Sequence, residues 1–153
     1  MLQPNMPAPD FSLLDADIET VTLANLRGHN VVICFYPKDN TPSCTLQAIE
    51  FSDLEDEFMR HNAIVIGISR DDCMSHANFR DKHGLAIQLL SDDDGEVCKQ
   101  YGVWQEIEKD GIRKMGIARS TFVIDQTGVV RLAQYNVVAK GHAAEILHFI
   151  QSL

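Results

Sequence analysis

The chain has 153 residues, 45% of them hydrophobic, enough to fill one core and too few for two ordinary domains. Its 13 Lys and Arg stand against 22 Asp and Glu, a net charge of −9 with no basic cluster, which opposes phosphate backbones and anionic bilayers and excludes nucleic acid and membrane as expected partners. No run approaches ~18 consecutive apolar residues, and Met1–Pro7 lacks the basic and apolar regions of an export signal, so the expected location is cytoplasmic.

In chain order, Phe11–Leu14 and Thr20–Leu23 flank Asp15-Ala16-Asp17 and predict an N-terminal β-hairpin ahead of the main fold. Asn30–Tyr36 is nearly all apolar, as a strand covered on both faces requires. A helix follows over 43–60, with Cys44, Ala48, Phe51, Leu54 and Phe58 on one stripe. Ala63–Ile68 is a second buried strand. Asp71 or Asp72 then caps a helix that Gly84 stops, and Ile87–Leu90 is a short strand. The run Asp92-Asp93-Asp94 lacks the spacing of a calcium loop and reads as the entry to a short helix closed by Gly102. Trp104–Gly116 is charged and irregular, and is expected to be a loop. Ile117–Ile124 and Val129–Tyr135 surround Asp125-Gln126-Thr127-Gly128 as a hairpin, and His142–Leu153 is a closing amphipathic helix. The alternation predicts an α/β fold over residues 1–153 as one domain, a central mixed β-sheet flanked by helices.

Four cysteines, Cys34, Cys44, Cys73 and Cys98, have long unequal gaps and form no Cys-x-x-Cys, so reduced thiols are expected. The six histidines include no His-Glu-x-x-His, and Cys73-x-x-His76 is a metal half-site, so neither metal nor cofactor is expected. Cys44 is the informative one. Thr41 suits an N-cap and Pro42 the first helical position, which places Cys44 among unpaired amide N–H groups at the positive end of a helix. That setting favours thiolate, the nucleophilic form.

The segment Phe35-Tyr36-Pro37-Lys38-Asp39-Asn40-Thr41-Pro42-Ser43-Cys44 contains Pro37-x-x-x-Thr41-x-x-Cys44, which resembles the active-site motif of the peroxiredoxins. Its wider form is similar to their bacterioferritin comigratory protein, or Q-type, branch. The likeness extends to Leu89-Leu90-Ser91-Asp92 and Arg119-Ser120-Thr121-Phe122-Val123-Ile124-Asp125. It implies a thioredoxin-like fold, with Thr41-x-x-Cys44 where thioredoxins carry Cys-x-x-Cys. It also implies a thiol-dependent peroxidase for hydrogen peroxide and organic hydroperoxides, serving antioxidant defence and redox homeostasis. By this resemblance Cys44 becomes a sulfenic acid, the Thr41 hydroxyl holds the peroxide, Arg119 brings positive charge to sulfur and substrate, and Pro37 shields the sulfur from water.

Relatives of this branch that carry a resolving cysteine place it five residues after the first, here Ile49, or in the next helix, here near Arg80. Both positions lack sulfur. The expectation is therefore regeneration by an external thiol, glutathione with glutaredoxin or thioredoxin, with an internal bridge from Cys44 to Cys98 or Cys73 as the alternative. The acids beside Cys73 disfavour its thiolate. Two other classes remain open: a thioredoxin-like disulfide reductase, which the missing second thiol weakens, and a non-catalytic binding module using Leu46 and Ile49 as a contact patch. The chain is expected to be a monomer.

Overall fold

The computed structural model describes residues 1–153. Seven strands form one sheet in the order β2-β1-β5-β4-β3-β8-β9. These are β1 (Ser12–Asp15), β2 (Thr20–Thr22), β3 (Asn30–Phe35), β4 (Ala63–Ser69), β5 (Gln88–Ser91), β8 (Ser120–Ile124) and β9 (Val130–Tyr135). β3, β4 and β5 run parallel, and the remaining pairings are antiparallel, so the sheet is mixed as expected. The N-terminal hairpin does more than precede the fold: β1 pairs with β5 and extends the sheet.

Alternation along β3 divides the apolar residues between two faces. Val31, Ile33 and Phe35 enter a core with Cys98, Tyr101 and Phe122. Val32 and Cys34, with Tyr36 just beyond the strand, enter the other, with Cys44, Phe51, Phe58, Phe79 and Ile146. Helices α1 (Pro42–Asp53), α2 (Glu55–Arg60), α3 (Cys73–His83) and α5 (His142–Gln151) contribute to the second core, and α4 (Glu96–Gln100) to the first. Buried Asp92 accepts the N–H groups of Val97 and Cys98 at 3.2 and 2.8 Å, the helix-capping role expected for its acidic run.

Two elements differ from expectation. The helix over 43–60 is broken at Leu54 (φ −101°, ψ 5°) into α1 and α2. The apolar stripe crosses the break, and Phe51 and Phe58 stack 5.8 Å apart on either side of it, so periodicity alone does not show it. Trp104–Gly116 is no loop but most of a hairpin, β6 (Trp104–Lys109) and β7 (Ile112–Ile117). Asp110 and Gly111, at φ 54° and 77°, make the left-handed two-residue turn that such ribbons favour. Its strands are charged because this ribbon lies apart from the sheet, largely in solvent. Consequently the strand expected over Ile117–Ile124 is divided, with Ile117 ending β7 and Ser120 beginning β8.

Candidate active site

The chain leaves the sheet after Phe35, turns through Pro37–Thr41 and enters α1 with Pro42 at its first position. Thr41 has the extended backbone of an N-cap (φ −83°, ψ 153°), but its side chain makes no capping bond. Its hydroxyl instead donates to the Lys38 carbonyl at 2.9 Å. This corrects the capping role expected for that side chain and leaves its oxygen lone pairs free to accept.

Cys44 is the third residue of α1 and is buried at 3% exposure. Arg119 reaches it from the link between β7 and β8: Nη2 donates to Sγ at 3.2 Å. Nη1 of the same guanidinium donates to Gln47 Oε1, and the Arg119 carbonyl accepts the Val137 N–H at 2.9 Å. The guanidinium plane is thus held at one end by Gln47 while the other faces sulfur. Gln47 is a contact of the candidate site that motif reading missed. The available signal was a long polar side chain three residues after Cys44, next to the apolar stripe of α1.

Cys44 opens on a cleft of about 790 Å³ that Pro37, Thr41 and Arg119 also line. The β6–β7 ribbon supplies the facing wall, including Trp104, Ile107 and Met115. Gly116 lets Ile107 fold close, since a Cβ there would meet Ile107 Cδ1 at 2.5 Å. Lys38, Arg70, Lys109, Lys114 and Arg119 line the cleft against one acid, Glu108, so the site is locally basic in an acidic protein. Arg70 also lies over the Trp104 ring, 4.9 Å from its centroid, bracing the base of the ribbon.

The other cysteines are differently placed. Cys98 is fully buried in the core on the opposite side of the sheet from Cys44, and burial, followed by the hydrogen bond and charge of Asp92, raises its pKa. Cys73 begins α3; partial burial and then Asp93, Asp15 and Asp72 push its thiol up. Neither lines the cleft or the small enclosed space beneath Cys44. Cys34 does line that space, but burial pushes its thiol up to about 12 against the opposing pull of Thr121 and Arg119. Of the suggested contact patch, Ile49 packs against the core and only Leu46 is exposed, at 40%. Asp39, Asp71 and His76 bring ligand-type atoms within 4.8 Å of one another, a convergence accounted for by their hydrogen bonds to each other and to Tyr36, Ser69 and Ser75.

The AhpC/TSA family profile matches residues 4–133, most of the chain and all of the cleft's lining. The chain belongs to the AhpC/TSA family. Within it, the relatives are peroxiredoxins of the Bcp or Q type. Peroxiredoxin Bcp of Bacillus subtilis is 38% identical over 146 residues, covering 95% of this chain and 93% of that protein. Peroxiredoxin Bcp of Xanthomonas campestris is 41% identical over 145 residues, covering 93% and 90%. A solved structure of the Xanthomonas campestris bacterioferritin comigratory protein, described with trapped intermediate and ligand complexes bearing on alkyl peroxide reduction, superposes with a TM-score of 0.91 at 36% identity over 98% of both chains. The sheet and its helices are thus the thioredoxin-like fold of a peroxiredoxin.

Proposed function

We propose that this peroxiredoxin reduces hydrogen peroxide and organic hydroperoxides through Cys44. The sulfur attacks one peroxide oxygen, the O–O bond breaks, and the second oxygen leaves as hydroxide or alkoxide, taking up a proton; Cys44 becomes a sulfenic acid. Negative charge moves from sulfur to the leaving oxygen, and the guanidinium of Arg119 lies where it can donate to both. Thr41, with its hydrogen committed to Lys38, accepts the hydrogen bond of the hydroperoxide O–H. Pro37 and the ribbon wall keep bulk water from the sulfur. Trp104, Ile107 and Met115 offer an alkyl group an apolar surface, in keeping with the alkyl peroxide reduction of the Xanthomonas campestris relative.

The second half of the cycle is external. A thiol attacks the sulfenic acid, water leaves, and a second thiol releases Cys44 from the mixed disulfide. Glutathione with glutaredoxin, or thioredoxin, fits this role. The internal alternative is disfavoured, because Cys98 lies across the sheet and Cys73 is flanked by carboxylates. One copy holds every group this scheme uses, so we take the working unit to be a monomer, with residues 1–153 acting as one domain. No helix is long and apolar enough to cross a membrane. The reducing cytoplasm supplies the thiols the cycle consumes.

The observation that carries this reading is the Arg119 Nη2–Cys44 Sγ hydrogen bond at the mouth of the cleft. Peroxide consumption by the purified protein with a thiol donor tests it. Turnover that disappears in Cys44→Ser is expected; equal consumption by both proteins contradicts it.

A further inference from the structure

Behind the loop that carries Thr41 lies a buried polar cluster with no part in the steps above. His76 is fully buried, with Nε2 2.9 Å from the Leu90 carbonyl and Nδ1 2.7 Å from Asp39 Oδ2. Asp39 accepts the Tyr36 hydroxyl on Oδ1 at 2.6 Å and the Ser75 hydroxyl on Oδ2 at 2.8 Å. Both ring nitrogens are thus engaged, which fixes the orientation of the ring. His76 and Asp39 form a hydrogen-bonded pair sealed from water.

Asp39, whose side chain this pair anchors, also belongs to a peptide group bonded on both edges. The Asp39 N–H donates to Asp71 Oδ2 at 2.8 Å, and the carbonyl of that same peptide, on Lys38, accepts the Thr41 hydroxyl at 2.9 Å. Asp71 Oδ2 also accepts the Ser69 hydroxyl at 2.7 Å, and the Asp71 main-chain oxygen accepts the Ser91 hydroxyl at 2.6 Å. A peptide is planar, so gripping its N–H edge aims its C=O edge.

We propose that Asp39, His76 and Asp71 are positioning residues for the peroxidase reaction: they fix the Lys38–Asp39 peptide so that Thr41 gives its hydrogen to Lys38 and presents its lone pairs to the hydroperoxide. The inference rests on the peroxidase reading. None of the three touches substrate or sulfur. Their influence passes through the loop, so it acts on peroxide placement and leaves the intrinsic reactivity of Cys44 alone.

The test compares two reactions of Cys44, oxidation by hydrogen peroxide and alkylation by iodoacetamide, in the unmodified protein, His76→Gln and His76→Asn. Asn places its amide nitrogen near the site of Nδ1, facing Asp39, and Gln places it near the site of Nε2, facing Leu90. The peroxide rate should fall about 10- to 100-fold in His76→Gln, because misplacing a reacting group by an ångström costs that much. Alkylation should be unchanged, and His76→Asn should recover most of the peroxide rate. Equal peroxide rates in all three proteins or a parallel fall in both reactions overturns the proposal while the peroxidase reading stands. An unmodified protein inert to peroxide overturns both. Where thermal melting shows that the His76 variants do not fold, Ser75→Ala removes one donor from Asp39 and carries the same comparison: a peroxide rate that falls while alkylation holds supports the proposal, and an unchanged rate overturns it.

Discussion

Arg119 Nη2 lies 3.2 Å from Cys44 Sγ across a separation of 75 residues in the chain. The guanidinium spans two tasks, since its other arm is fixed by Gln47. Lysine keeps the charge but has no second arm. Arg119→Lys should therefore slow oxidation of Cys44 by peroxide about 100-fold, the usual cost of one lost oxyanion donor. Stopped-flow measurement of that oxidation checks it, and a rate within experimental error of the unmodified protein contradicts it.

The ribbon wall predicts a difference between substrates. Ile107 lines the cleft beside Gly116, where it faces an alkyl group and has nothing to offer hydrogen peroxide. Ile107→Ala should lower kcat/KM for a bulky alkyl hydroperoxide about tenfold, in the range that a few lost methyl contacts give, and leave the value for hydrogen peroxide unchanged. Equal losses for both substrates would assign Ile107 to packing alone.

Three of the cysteines sit where their thiolates are disfavoured. Cys34 is pushed up to about 12 and Cys98 is also raised, each with burial as the leading cause, while Cys73 is raised by burial and three nearby acids. The folded protein treated briefly with iodoacetamide near neutral pH should gain one label, on Cys44, and the Cys44→Ser variant none. Mass spectrometry of the peptides reads this. Labelling of Cys73 or Cys98 at a rate equal to Cys44 would reopen internal resolution.

His142 gives the fold a pH dependence. Burial holds its imidazole below the ordinary 6.5; Arg119 acts in the same direction and Glu145 against it. The unfolded chain then binds more protons than the folded one below 6.5, so this contribution is complete above that value and is lost as pH falls through the window. Urea midpoints should decline from about pH 7 to about pH 5, and His142→Gln, which can keep the bond to Thr121, should flatten the decline. Identical slopes would place the titration elsewhere.

The strand, turn and helix around Cys44 were legible because their signals are local: an apolar run, a Thr-Pro entry and a helical stripe. Arg119 carried no such local signal and was reached through the resemblance of its Arg-Ser-Thr-Phe run. The Asp39–His76 pair joins residues 37 apart, and neither side chain stands out in its own segment, so only the fold reveals it. The β6–β7 ribbon is a different case. Its Asp110-Gly111 turn was visible, but charged strands with little buried surface hid the alternation that marks a strand. The break at Leu54 leaves the apolar stripe in register and has no signature in the sequence.

The account stands on an attack by one sulfur, and intact-mass measurement after one equivalent of hydrogen peroxide tests this most directly. It predicts a gain of one oxygen, located on Cys44 and removed again by added thiol. A protein that keeps its mass contradicts it, whereas a loss of two hydrogens that links Cys44 to Cys73 or Cys98 keeps the attack and overturns external regeneration.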